Sequence, residues 1–131
     1  MSNNKKNDSY ESFLKDFKDT LKSVFYQKDD IGKFSQMRGF PSQVFRDIME
    51  KNPLSVAIPT EYGGRGVKVK ECLGVLEAAS YESLPLSLTF GINIALFLEP
   101  VAKHAKPEVQ APIFKRFLEK QNMGGLMITE P

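Results

Sequence analysis

A run of uncharged residues from Leu84 to Leu98 is the strongest constraint on how this chain folds. It reads LPLSLTFGINIALFL and has no acidic or basic side chain, in a chain of which 26% of the residues are charged. Burying a large apolar side chain contributes roughly 1.5–3 kcal/mol, so a run of this kind belongs inside a fold. It is shorter than the about 20 residues that a membrane-spanning helix needs. We therefore expect the rest of the chain to pack around it, with no membrane span.

The periodicity of this run is compatible with a strand or with a helix. Apolar residues at every second position favour a half-buried strand. Those positions are Leu84, Leu86, Leu88, Phe90, Ile92 and Ile94. In a helix, a different set shares one face, namely Thr89, Ile92, Asn93 and Leu96. The length, and an end too apolar to alternate, favour a buried helix and leave the strand as the alternative.

Length, charge and the counts of cysteine and histidine limit the class of protein. A chain of 131 residues is long enough for one domain with a buried core. Its 18 basic and 16 acidic residues are mixed along the chain, so no nucleic-acid surface is indicated. One cysteine excludes an internal disulfide, and one histidine leaves no cluster with metal-ligand spacing. The polar N-terminus lacks the apolar core of a secretory signal, so we expect a cytoplasmic protein without a metal site.

Four further segments repeat apolar residues at intervals of three and four, as amphipathic helices do. They are Asp8 to Gln27, Pro41 to Met49, Val69 to Ser83, and Val109 to Leu118. Pro112 falls within the last of them, so that helix should start late or kink. The pair Glu99-Pro100 predicts a bend after the uncharged run. The pair Gly124-Gly125 can end the last helix.

Three features could carry chemistry, and for each a structural interpretation is favoured. Glycine-rich loops can cradle phosphates, but the segment Pro59 to Gly66 lacks the Lys-Ser/Thr of a P-loop, so we predict a structural turn. Cys72 lies on an apolar helical stripe, which favours a buried, inert thiol over a nucleophile. His104 stands between lysines, which favours a solvent-exposed side chain over a catalytic one.

The C-terminal segment changes this all-helical pattern. Leu126 to Thr129 is compatible with a strand, but no earlier segment offers a convincing partner for it. One interpretation is a short extended tail on a helical domain. The other is the first strand of a sheet domain that this sequence does not contain.

Four motifs occur in a fixed order between about Phe40 and the C-terminus. They are Ile58-Pro59-Thr60-Glu61-Tyr62-Gly63-Gly64-Arg65-Gly66, Val75-Leu76-Glu77-Ala78-Ala79, Gly91-Ile92-Asn93 with Pro100 after it, and Ile128-Thr129-Glu130-Pro131. In that order and spacing they resemble the N-terminal helical domain of the acyl-CoA dehydrogenases. The first helix fits that family by position only. The resemblance implies an all-α domain of five to six helices, and it implies that the uncharged run is a helix.

The resemblance also implies a larger flavoenzyme. Residues 1–8 would be a disordered tail, 9–125 the helical domain, and 126–131 the start of the middle β-domain, which a C-terminal helical domain follows. In this family FAD lies between the domains, an acyl-CoA thioester is oxidised to its trans-2-enoyl form, and the enzyme is a homo-oligomer. The catalytic glutamate belongs to the C-terminal region. We therefore expect the 131-residue chain to be inactive alone and to bind no FAD.

Two sets of residues match binding positions of the family. The flavin-contacting positions correspond to Leu126, Ile128 and Thr129, of which the threonine meets the flavin ring with its hydroxyl and backbone. The positions that line the far end of the acyl pocket correspond to Thr89, Ile92 and Leu96. A spacing of three and then four puts the second set on one helical face. An isoleucine rather than an acid at position 92 keeps that wall apolar.

Two alternatives share these features. An acyl-CoA oxidase, or another flavoenzyme on the same scaffold, would carry the same motifs. A stand-alone helical protein-interaction module would use the apolar helix as its binding surface and hold no flavin. In either case an apolar face left open tends to find a partner chain.

Overall fold

The computed structural model describes residues 9–27, 36, 39 and 41–125. This part of the chain contains five helices and no strand, which confirms the all-α prediction. The helices are α1 (Tyr10–Lys22), α2 (Ser42–Met49), α3 (Val69–Glu82), α4 (Leu84–His104) and α5 (Pro107–Lys120). A π-helical turn, Ser23–Gln27, extends α1, and two 3-10 helices, Pro53–Ala57 and Thr60–Tyr62, link α2 to α3.

The uncharged run is helical throughout, and the helix does not stop where the run ends. It is α-helical over Leu84–Gly91 and π-helical over Ile92–Leu98, and it continues as α-helix through Glu99–His104. Pro100 has no amide to donate to the preceding turn, and the wider π turns just before it accommodate that loss. The prediction of a bend at Glu99-Pro100 is therefore wrong, because α4 is one uninterrupted helix of 21 residues that includes this pair.

Helix α4 is the centre of the core. By length and composition alone it could cross a membrane, which the shorter uncharged run could not. However, the side chains of Leu86, Phe90 and Leu98 are 0% exposed within this domain. The Phe90 ring lies 6.2 Å from the ring of Phe17 on α1, measured between centroids. Only one side of α4 is buried in this way, since 28% of its most apolar stretch lies inside the domain.

Helix α4 packs mainly against α3 and the 3-10 helix Pro53–Ala57, whereas α2 packs against α1. Helices α3 and α4 lie side by side, and the Ser87 hydroxyl donates a hydrogen bond to the Leu76 carbonyl at 3.3 Å. Helix α5 closes the domain with its two buried aromatic side chains: Phe114 packs on Tyr62 and Phe117 stacks on Phe97, at centroid distances of 5.1 and 5.5 Å. The fully or almost fully buried core includes Phe17, Leu21, Ile48, Val56, Ala57, Ile58, Val75, Ala79, Leu86, Phe90, Leu98 and Phe114.

Several helix ends differ from the sequence predictions. Helix α1 begins at Tyr10, two residues after the predicted start at Asp8, because the Ser9 hydroxyl accepts the Ser12 amide at 3.2 Å. Helix α5 begins at Pro107, so Pro112 does not delay its start. It ends at Gln121, which has a left-handed backbone with φ 53°, and not at the glycine pair. A half-buried polar side chain therefore serves where a glycine is commoner.

The apolar stripe of α3 is only partly buried. Val69 and Leu73 are 71% and 59% exposed, although the spacing suggested that they face the core. Small residues form the contact instead: a Cβ on Gly74 would lie 1.8 Å from the Tyr10 hydroxyl. Helix α1 approaches closely there, and Val69 and Leu73 point outward while Val75 remains buried.

Candidate functional site

One side of α4 is apolar and open to solvent. Leu84, Leu88, Ile92 and Leu96 are 65%, 59%, 44% and 43% exposed. A spacing of four residues places them along one side of the helix. We call these four residues the open apolar face. Exposed apolar surface of this kind on a folded domain marks a place where a ligand or another part of a protein binds.

The three positions predicted to line an acyl pocket lie at or beside this face. Ile92 and Leu96 belong to it. Thr89 is half-buried, and its hydroxyl donates to the Pro85 carbonyl at 2.8 Å, so it presents its methyl group rather than a free hydroxyl. Their role as pocket residues stays a prediction. Asn93, which the sequence placed on the same side, is 2% exposed and points into the domain.

The Asn93 side chain joins α4 to the segment that follows α5. Its Nδ2 donates to the Thr89 carbonyl at 2.8 Å, and its Oδ1 accepts the amide of Gly124 at 2.8 Å. A Cβ at position 124 would lie 2.4 Å from the ring of Phe97, so the backbone approaches this ring as only glycine allows. The segment 121–125 is therefore attached to α4.

The three positions predicted to contact flavin fall beyond this attachment. Leu126, Ile128 and Thr129 lie outside the described residues. The same holds for residues 1–8, for which a disordered tail was predicted.

The glycine-rich segment is a structural turn, as predicted. The amides of Gly63, Gly64 and Gly66 donate to the carbonyls of Thr60, Pro59 and Ile58 at 2.9–3.1 Å. A phosphate-binding loop needs amides that are free to reach the ligand. Here the chain's own carbonyls already occupy them.

A cluster of two cations around a buried glutamate holds this turn against the helices, and sequence analysis missed it. Arg65 Nε lies 2.8 Å from a carboxylate oxygen of Glu71, and Lys68 Nζ lies 3.3 Å from the other. The Glu71 side chain is only 6% exposed. The Arg65 guanidinium also lies 4.5 Å above the ring of Phe13 on α1, in a cation–π contact. A glutamate in the first turn of a helix, a few residues after an arginine, was the available signal.

A crevice of about 210 Å³ lies between α1 and α3, away from the open apolar face. Lys18 and Lys22 line one side of it, and Glu77 and Glu82 the other. Because both signs of charge are present, the crevice favours neither anionic nor cationic ligands.

The cysteine and the histidine are placed as structural residues. The Cys72 thiol is half-buried and lies 3.6 Å from the Val56 carbonyl. Burial raises the pKa of this thiol, and the carboxylates of Glu99 and Glu71 raise it further. His104 is exposed in the last turn of α4. Among the described residues, no group of three or more His, Cys, Asp or Glu could hold a metal ion.

We expect Cys72 to react slowly with alkylating reagents in the native protein. The thiolate is the reactive species, and a raised pKa lowers its fraction at any pH below that pKa. Iodoacetamide should modify the native chain at least about tenfold more slowly than the denaturant-unfolded chain at the same mildly alkaline pH. Mass spectrometry of timed samples measures both rates. Equal rates would contradict the inert-thiol interpretation.

Comparison with known families identifies the domain. Residues 11–121 match the family described as Acyl-CoA dehydrogenase, N-terminal domain. No curated protein and no solved structure matches the chain. The family match runs from α1 to the residue that ends α5, and so includes the first helix, which the motifs alone had fitted only by position. The chain therefore belongs to the acyl-CoA dehydrogenase N-terminal domain family.

Proposed function

We propose that this chain is the N-terminal domain of an FAD-dependent acyl-CoA dehydrogenase and that its open apolar face forms part of the acyl-pocket wall. The observation that carries the proposal is the exposure of Ile92 and Leu96, which are 44% and 43% exposed on the helix that is otherwise the centre of the core. Together with Leu84 and Leu88 they form a continuous apolar strip rather than single exposed side chains. Family membership supplies the substrate class.

The chemistry of this face suits an acyl chain. No charged residue occurs between Leu84 and Leu98, and the Thr89 hydroxyl is bonded to its own helix. Each methylene that leaves water against such a wall contributes about 0.8 kcal/mol. The wall would thus bind the acyl chain and exclude water from it.

Flavin and base complete the proposed site. Leu126, Ile128 and Thr129 would contact FAD, which supplies an acceptor for the β-hydride of the thioester. A glutamate of the family's C-terminal region would take the α-proton. We propose that the present chain is inactive alone, that the complete enzyme is a cytoplasmic homo-oligomer, and that it acts in fatty-acid oxidation.

The direct test is to express the longer protein that carries this domain. It should purify yellow, and its flavin absorbance should bleach when an acyl-CoA is added without oxygen. A protein that binds no flavin would refute the proposal and favour a stand-alone interaction module, for which the open apolar face would be the partner surface. Production of hydrogen peroxide in air would identify an acyl-CoA oxidase on the same scaffold.

Replacing Ile92 with aspartate in this flavoenzyme should lower kcat/KM for its acyl-CoA at least about 100-fold. A carboxylate in the pocket wall must be desolvated by the bound acyl chain, and each 1.4 kcal/mol of that cost is about tenfold in kcat/KM. Stability should change little because the side chain is partly in water. Val109→Asp on α5 is the matched control, since Val109 is 45% exposed. Equal kcat/KM values for the two variants would contradict the assignment of Ile92.

A further inference from the structure

We propose that Asn93 is a positioning residue. It fixes the backbone at Gly124, which precedes the predicted flavin-contacting positions in the sequence, relative to α4, the helix that forms the acyl wall. This inference rests on the proposed function. Asn93 acts through the backbone of Gly124, two positions before Leu126 in the sequence.

The burial and bonding of Asn93 are the first support. Its side chain is 2% exposed, and both ends of its carboxamide are bonded to backbone at 2.8 Å. A buried carboxamide that lacks hydrogen-bond partners costs free energy, so the Asn93 side chain retains both of these bonds in the folded domain. One of them lies within α4 and the other reaches a segment 31 residues away. Among the described residues 121–125, no other hydrogen bond leads to α4.

The fit of Gly124 is the second support. A Cβ there would lie 2.4–2.6 Å from three carbons of the Phe97 ring. That ring cannot move aside freely, because it stacks on Phe117 of α5 at 5.5 Å with an angle of 20° between the planes. The backbone of Gly124 is therefore confined between the Asn93 carboxamide and the Phe97 ring.

The same carboxamide contacts the turn that carries the acyl wall. Asn93 Nδ2 bonds to the carbonyl of Thr89, and Ile92 is the residue directly before Asn93. A shift of this turn would move the acceptor of the Gly124 amide with it. The turn that carries Ile92 and the backbone of Gly124 are thus held together by one side chain.

The first arm of the test uses the 131-residue chain and needs no flavin. The variants are Asn93→Leu, which keeps the volume and removes both bonds, and Gly124→Ala, which forces the backbone off the Phe97 ring. Hydrogen exchange of the Gly124 amide should become about tenfold faster in Asn93→Leu. Gly125→Ala is the matched control, because its Cβ would meet nothing within 4 Å. An unchanged exchange rate in Asn93→Leu would overturn the inference.

The second arm uses the flavin-bound longer protein. Asn93→Leu and Gly124→Ala should each change the visible circular dichroism of the bound flavin and raise the FAD dissociation constant about tenfold or more. Asn93→Gln, which retains the carboxamide, should restore part of both. Val44→Ala, a core truncation in α2, should lower stability and leave the flavin spectrum unchanged.

The outcomes separate the two proposals. If the wild-type protein binds flavin but Asn93→Leu gives the wild-type spectrum and affinity, the positioning role is wrong and the proposed function stands. If Val44→Ala changes the flavin spectrum as much as Asn93→Leu does, the role of Asn93 is merely structural and the inference is overturned. A wild-type protein without flavin overturns the proposed function together with this inference.

Discussion

Replacing Phe90 with alanine is expected to lower the free energy of unfolding by about 3–5 kcal/mol. The Phe90 ring is 0% exposed at the centre of α4 and packs against Phe17. Truncation removes its transfer free energy and leaves a cavity that the surrounding helices cannot fully close. Denaturant titration followed by circular dichroism at a helical wavelength measures the change.

An alanine substitution at Ile92, two residues after Phe90 on the same helix, provides the control. Ile92 is 44% exposed on the open apolar face, so Ile92→Ala should cost less than about 1 kcal/mol. Equal losses at the two positions would mean that α4 is not oriented as described here.

Replacing Gly64 with alanine is expected to cost about 3 kcal/mol or more. A Cβ at this position would lie 2.0 Å from the carbonyl oxygen of Ile58 and 2.5 Å from its carbonyl carbon. These are backbone atoms, and the Ile58 carbonyl also accepts the Gly66 amide at 2.9 Å. Relief of the clash would therefore disrupt the turn and the adjoining buried segment Pro53–Ala57.

Thermal unfolding of Gly64→Ala beside Gly125→Ala measures this effect. Gly125 has open space around the added methyl group, so its variant should melt within a few degrees of the wild type. A Gly64→Ala protein with the wild-type melting temperature would show that the chain does not approach itself closely at this turn.

The residues of the uncharged run explain why its periodicity was ambiguous. Leu86 and Phe90 face the core of the domain, whereas Leu84 and Leu88 belong to the open apolar face. A helix that is apolar on two sides has no single stripe, so its apolar residues can imitate the alternation of a strand. The length of the segment and its strongly apolar end favoured a helix over a strand, and the family resemblance implied the same.

Other features depend on contacts between distant residues and could not be read from local patterns. The Asn93–Gly124 bond joins positions 31 residues apart, and in the sequence it shows only as a polar residue inside an apolar run. The outward orientation of Leu73 accompanies the close approach that Gly74 permits to Tyr10. By contrast, local rules were sufficient for the existence of each helix and for the role of the glycine-rich turn.

The π-helical segment Ile92–Leu98 determines the direction in which each later side chain of α4 points. An α-helix advances about 100° per residue, so deleting one residue to restore regular winding would rotate the downstream side chains by about that angle. Phe97 would then leave the backbone of Gly124, and Leu98 would leave the core. The extra width of these turns thus lets one continuous helix aim Asn93 inward and Leu96 outward, which makes this short stretch intolerant of length changes.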